Sequence, residues 1–370
     1  MSTANAMWSL GAGRLVSGVA SGVALVLTPI YLNEISPLAI RGTVGAMTQV
    51  SCVFGILIAQ IAGVYFSTAT GWRLILGFGG MIGFVQFILL WFTVESPKWL
   101  TSQPGEFAHA KYLLRKIRGR SDIESEMRLW KGEDEDEEVS ATMEHRGLLY
   151  VDLHSSVHSE DEVRSTMSLG TFLTDTKLRP AVRAIFITQF AFTGTNAVVF
   201  YSTSILASLL PDLSAWISVG ISLVNFLVTL VAANLVDRAG RKILILTSIA
   251  GMAISSALLA VGINGDYKVL SAVAAASIIG SFGLGLGPVP FLLISEYFEA
   301  ETVGIAQSLG ISVSWAATFT VGFLFPVMKQ NLGGSSFYVF AVSAVLFFFL
   351  TLRYVPESKG KTVREIWLTT

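Results

Sequence analysis

The densest chemistry in this sequence is the run Asp237-Arg238-Ala239-Gly240-Arg241-Lys242, set between two long apolar stretches. Gly240 lets the backbone turn sharply. The guanidinium groups of Arg238 and Arg241 can reach carboxylates, or the carbonyl ends of helices, across a bundle. Carboxylates that could meet them recur at similar boundaries: Glu34 (with Arg41 seven residues on), Glu95, Glu296 and Glu357. A lone charge at a membrane boundary can simply snorkel into the headgroups. A set of opposite charges at helix ends on one face instead suits an ion-pair cluster that locks one conformation. Asp237 favours the cluster, because membrane orientation asks for cations and not for an acid. Glu34, Arg41, Glu95, Asp237, Arg238, Arg241, Glu296 and Glu357 are therefore candidate gating charges.

A second group is made of backbone breakers. Gly280, Gly283, Gly285 and Gly287 precede Pro288 and Pro290 in an apolar run. Prolines remove helical hydrogen bonds, and such interruptions often mark substrate sites or hinges in transporters. Gly283, Gly287, Pro288 and Pro290 are the candidate hinge, although small residues also permit close helix packing. Other chemistry finds no support. Cys52 is the single cysteine, so no intrachain disulfide forms. His109, His145, His154 and His158 all lie in one polar stretch at spacings that fit no standard metal site. No nucleophile–base pairing, phosphate loop or dinucleotide fingerprint is present. Neither an enzyme nor a cofactor nor a metal is expected.

The elements that must position these residues follow from composition. Of 370 residues, 52% are hydrophobic and 14% charged, and the mean hydropathy is +0.64. Soluble domains carry roughly 25% charged residues, so most of this surface must face lipid. A net charge of −1 argues against a nucleic-acid partner. Nine segments are long and apolar enough to span a bilayer, at about 9–32, 44–66, 72–94, 181–206, 214–236, 243–263, 268–294, 303–327 and 334–355. The organisation is three helices (1–100), a polar loop (101–180) and six helices with a short tail (181–370). The loop opens with an amphipathic pattern over 105–120 that predicts a surface helix. The acidic run from Glu133 to Glu138 then reads as a solvated linker. Placing the loop and the C-terminus in the cytoplasm puts all but Arg14, Arg73, Lys268 and Lys329 of the 25 basic residues on that side.

The chain also repeats itself. A shift of 262 residues aligns Gly18 with Gly280, Glu34 with Glu296, Gly42 with Gly304, Glu95 with Glu357 and Ser96 with Ser358. The first three helices thus repeat the last three, as in transporters built from two parallel six-helix halves. The middle three have no counterpart, so the expected fold is an all-α polytopic membrane protein lacking the first three of twelve helices.

Gly13-Arg14, Pro29 to Glu34, Arg41-Gly42, Glu95 to Leu100, Asp237 to Arg241, Gly287-Pro288-Val289-Pro290 and Pro356 to Gly360 together resemble the sugar porter family of the major facilitator superfamily. Glu95 to Leu100 and Thr302 to Ser308 are similar to a fungal subgroup named for vacuolar protein sorting. The resemblance implies a twelve-helix fold of which this chain matches helices four to twelve. It also implies a solute pocket lined by Gln49, Asn196, Tyr201, Asn225 and Trp315. Amides that hydrogen-bond hydroxyls and an aromatic face for a ring would suit a hexose, whereas Asn and Gln in membranes also bond neighbouring helices.

Some positions depart from the family pattern. Two expected glutamines are Phe190 and Ala191, an expected tryptophan is Phe291, a polar residue expected before Trp315 is Ser314, and an expected basic residue is Val303. The expected function is transport of a sugar or similar small polar solute by alternating access, in the plasma or vacuolar membrane, with lipid and solute as partners. The rivals are a non-transporting porter-like receptor, sensor or trafficking factor, or an incomplete gene model of a transporter.

Overall fold

The computed structural model describes residues 1–37, 40–68, 70–101, 103, 105–119, 123, 127, 169–193, 214–298, 300–361 and 363–368. They are helical, and no strand occurs among them. Two compact units are formed, Met1–Phe87 with Met167–Thr370, and Ile88–Thr166.

The first unit begins with α1 (Met7–Ile35), α2 (Arg41–Phe66) and α3 (Trp72–Leu90). The first two cover their expected apolar segments, and α3 stops at Leu90, short of the expected 94. The polar start of α2 at Arg41 extends past the apolar run, because a helix continues while its backbone bonds are made. In the second unit, Ser96 caps the short α4 (Pro97–Thr101) by accepting the Trp99 N–H at 3.2 Å. The amphipathic stretch forms α5 (Phe107–Arg118), which ends at Gly119 in the left-handed region (φ 62°). It buries Ala110, Leu113 and Leu114 and leaves Phe107 and Tyr112 exposed.

The first unit resumes with α6 (Leu169–Thr174), α7 (Arg179–Thr193), α8 (Ser214–Ala239), α9 (Arg241–Asn264), α10 (Lys268–Leu284) and α11 (Val289–Tyr297). After these come α12 (Ala300–Leu332), a 3-10 turn at Gly333–Ser335, α13 (Ser336–Tyr354) and α14 (Val363–Leu368). Seven described stretches are long and apolar enough to cross a membrane. The expected segment 181–206 is described only through Thr193.

One hydrophobic core runs through α6 to α14, around Ile185, Ile245, Ile278, Tyr297 and Phe325. Helix α9 packs on α10 and α13, α8 packs on α2 and α10, and α7 packs on α12. Small residues bring α9 and α10 together: a Cβ on Gly251 would sit 2.5 Å from Ser281 Oγ, and one on Gly262 would sit 2.6 Å from Ser271 Oγ. Such close seams supply packing where lipid removes the hydrophobic drive. Ala46, Val50 and Ala233 form the seam of α2 with α8. By contrast α3 buries no residue, and α1 buries only Pro29.

Candidate functional site

The site is built at one end of the first unit, where α8 stops and α9 starts. Gly240 makes that turn with φ 93°, a conformation that suits only glycine. Arg241 then becomes the first residue of α9 and turns its guanidinium inward, with 9% of the side chain exposed. Its Nη2 lies 2.7 Å from Glu296 Oε1 and 3.3 Å from Asp237 Oδ1. Its Nε donates to the same glutamate (3.1 and 3.2 Å), and Nη1 donates to the Val236 carbonyl at 3.1 Å. Two carboxylates thus neutralise one buried cation, and its donors are satisfied.

The carboxylates also hold helix starts. Asp237 Oδ2 accepts the Thr43 N–H at 2.9 Å and the Thr43 hydroxyl at 2.7 Å. This places an anion at the N-terminus of α2, where unpaired N–H groups and the helix dipole favour it. Glu357 does the same for α9, accepting the N–H groups of Arg241 (2.9 Å) and Lys242 (3.0 Å). Ser358 Oγ donates to Glu296 Oε2 at 2.5 Å, Tyr297 Oη to the Pro356 carbonyl at 2.7 Å, and Lys359 Nζ to the Arg238 carbonyl at 2.6 Å. Gly42 has no room for a side chain, because a Cβ there would collide with the Asp237 carboxylate and the Arg241 guanidinium.

Asp237, Arg241, Glu296 and Glu357 therefore lie in one network that joins α2, α8, α9, α11 and the segment after α13. Arg238 contributes its carbonyl, while its exposed side chain makes no ion pair among the described residues. Glu34, near the end of α1, makes none either, and Arg41 opens α2 next to Gly42. Glu95 lies in the second unit, just before the Ser96 cap. Sequence reasoning missed Thr43 and Ser358. Both are hydroxyl residues directly beside singled-out residues, and Thr43 stands two places into its helix, where a free N–H awaits an anion.

The predicted break occurs between α10 and α11. Gly285 to Pro288 leave the helix: Gly287 N–H reaches back to the Phe282 carbonyl (2.9 Å) and Leu286 N–H to Ser248 Oγ (3.2 Å). Gly285 presses on the backbone of Leu244, so close that any Cβ would clash with its carbonyl. Pro288 and Pro290 supply no N–H to restart the ladder.

Two cavities flank this break. One lies among α1, α2 and the start of α11. Gln49, Asn33, Thr48 and Cys52 line it, with Pro29 and Phe291. The other has Phe190, Ala191, Ile249, Met252 and Phe347 in its wall, with Ser256 and Ser343 its hydroxyls. Phe190 stacks on Phe347 at 6.4 Å and 7°.

Of the other pocket candidates, Asn225 is buried between α8 and α10. It accepts from Thr229 Oγ1 at 3.4 Å and faces Gly283, where a Cβ would lie 2.8 Å from its Oδ1. Trp315 is 55% exposed on α12 and lines neither cavity. Asn196 and Tyr201 lie outside the described residues.

A helical bundle with a broken helix, a cavity with amide and hydroxyl groups beside the break and a charge network at one end has the parts of a solute transporter. Residues 1–368 match the family model described as sugar (and other) transporter. A probable metabolite transport protein of Saccharomyces cerevisiae is 35% identical over 365 residues, covering 96% of this chain and 70% of that protein. Facilitated glucose transporter member 2 of Gallus gallus is 32% identical, covering 96% of this chain and 64% of its own length. The proton:xylose symporter XylE bound to 6-bromo-6-deoxy-D-glucose is 24% identical with a TM-score of 0.76, covering 96% of this chain and 73% of the other, and shares the fold. XylE from E. coli in a partially occluded inward-open conformation superposes with a TM-score of 0.69. The chain belongs to the sugar (and other) transporter family, and it is an integral membrane protein with several apolar helices.

Proposed function

We propose that this protein moves a sugar, or a similar small polar solute, across a membrane by alternating access. The carrying observation is the pairing of Asp237 with the start of α2: a carboxylate from α8 holds a helix of the first three through Thr43, next to a buried Arg241. These charge-assisted bonds are strong when closed, and water can replace them when the helices part. That is what a reversible latch requires. In this reading the charged end and the C-terminus face the cytoplasm, the network closes that side, and Gly285 to Pro288 flex as the latch opens. Gln49 is the solute contact best supported by a cavity. Asn196, Tyr201, Asn225 and Trp315 remain contacts that the family resemblance suggests. The membrane is the plasma or the vacuolar membrane.

The relatives are named for the transport of metabolites, glucose or xylose, and those names support the solute class. One observation favours a rival reading, a porter-like receptor. The wall containing Phe190 and Ala191 is largely apolar, so it offers a sugar few hydrogen bonds.

The deciding test is counterflow of radiolabelled D-glucose into proteoliposomes holding the purified chain. Saturable uptake of D-glucose over L-glucose supports transport. Uptake equal to that of empty liposomes, with retained binding by equilibrium dialysis, would favour the receptor.

A further inference from the structure

The cavity beside Gln49 has a chemical bias that the other cavity lacks. Asn33 Oδ1 and Thr48 Oγ1 are buried, and neither has a hydrogen-bond partner among the described residues. Both side chains line this cavity, from α1 and α2 respectively. Buried polar atoms inside a membrane bundle are costly unless something bonds them. A second group that can only accept belongs to the same wall, since the Thr48 hydroxyl can also donate. Pro29 lies inside α1 and lacks an N–H, so the Leu25 carbonyl has no helical donor four residues on, and Leu25 and Pro29 both line the cavity. Gln49 adds an amide that can accept and donate.

The inventory therefore leans towards acceptors. An occupant has to bring several donors. A carboxylate or phosphate brings none, and a cation would find no carboxylate in this wall. A neutral polyhydroxy solute brings O–H donors and can lay an apolar face on Phe291, the aromatic of the same cavity.

We propose that Asn33 and Thr48, with Gln49, form a specificity-determining subsite for a neutral polyol, in which Asn33 Oδ1 accepts a solute hydroxyl and Thr48 exchanges a hydrogen bond with another. The choice of glucose as a probe rests on the transport reading, whereas the polyol chemistry rests on the cavity.

The chain carries its own reporter. Cys52 lines the same cavity and is the sole cysteine, so alkylation reports on this place alone. The purified chain in detergent is treated with N-ethylmaleimide with and without D-glucose or myo-inositol, and adduct formation is followed by intact mass. Equilibrium dialysis of radiolabelled D-glucose runs in parallel. The expected result is that polyol slows alkylation of Cys52. The concentration for half-protection should rise about tenfold in Asn33→Leu and in Thr48→Val, the loss of one hydrogen bond to the solute. Thr48→Ser, which keeps the hydroxyl, should stay near the unaltered chain. An unchanged alkylation rate without polyol shows that each variant keeps its cavity.

Protection at the same concentration in Asn33→Leu, Thr48→Val and the unaltered chain overturns the subsite while leaving transport standing. So does glucose binding by dialysis without protection of Cys52. Protection by myo-inositol that the variants lose, with no glucose binding, upholds the subsite and overturns the hexose reading. No protection by either polyol overturns the subsite.

Discussion

Two polar regions of the first unit lie less than half a helix apart on α2 and are built in opposite ways. At Thr43, two residues into the helix, the polar groups are bonded: Asp237 takes its backbone N–H and its hydroxyl, and Arg241 ties Asp237 to Glu296. At Thr48 Oγ1 and Asn33 Oδ1 the polar atoms are buried beside a cavity without partners among the described residues. The first arrangement stabilises the protein on its own. The second costs stability until an occupant supplies the missing bonds. Polarity in a membrane bundle thus divides by saturation: a closed network holds helices, whereas an open one leaves bonding capacity for a solute.

Substitutions at the two places should separate cleanly, read as thermal unfolding in detergent by intrinsic fluorescence. The largest effect belongs to Arg241→Leu. It leaves Asp237 and Glu296 facing each other without their cation, which should cost about 3–5 kcal/mol. A melting point near that of the unaltered chain would show that the network does not hold the bundle. Gly42→Val comes next, at about 3 kcal/mol, because its side chain must displace the Asp237 carboxylate and the Arg241 guanidinium.

Thr43→Val keeps the backbone bond to Asp237 and loses only the hydroxyl bond. About 1.5 kcal/mol should go, and pairing it with Asp237→Asn in a double-mutant cycle should show strong coupling. Smallest of all is Thr48→Val, the same chemical change five residues further along. It should raise stability, by about 1 kcal/mol, because it removes a buried hydroxyl that bonds nothing among the described residues. If the valine at 48 cost as much as the valine at 43, the contrast between the two regions would fail.

Much of the framework was legible in the residues. Apolar run length located α1, α2, α3, α8, α9, α12 and α13, since crossing hydrocarbon demands about 20 apolar residues whatever the neighbours are. The break at Gly285 to Pro288 was legible for a similar reason. Its counterparts in the internal repeat, Val23 to Val26, stay within the unbroken α1, so glycine and proline and not hydropathy make the difference. Position along each helix was also readable, which is why the charges at 237, 241, 296 and 357 stood out.

Azimuth and partnership were not readable. One residue turns the helix by about 100°, and mean hydropathy does not say which helix packs on which face. Only packing brought Asp237 to Thr43, 194 positions away in sequence, and directed Glu357 onto the start of α9. Packing also set Asn225 against Gly283, left Trp315 55% exposed, and assembled Asn33, Thr48 and Gln49 around one cavity. The sequence by itself determined where this chain can cross a membrane, where its helices end and where one must break, because those depend on local transfer free energy and backbone geometry. The tertiary structure alone decided which polar groups are saturated and which wait for a partner, because that depends on distances between helices that no local rule contains.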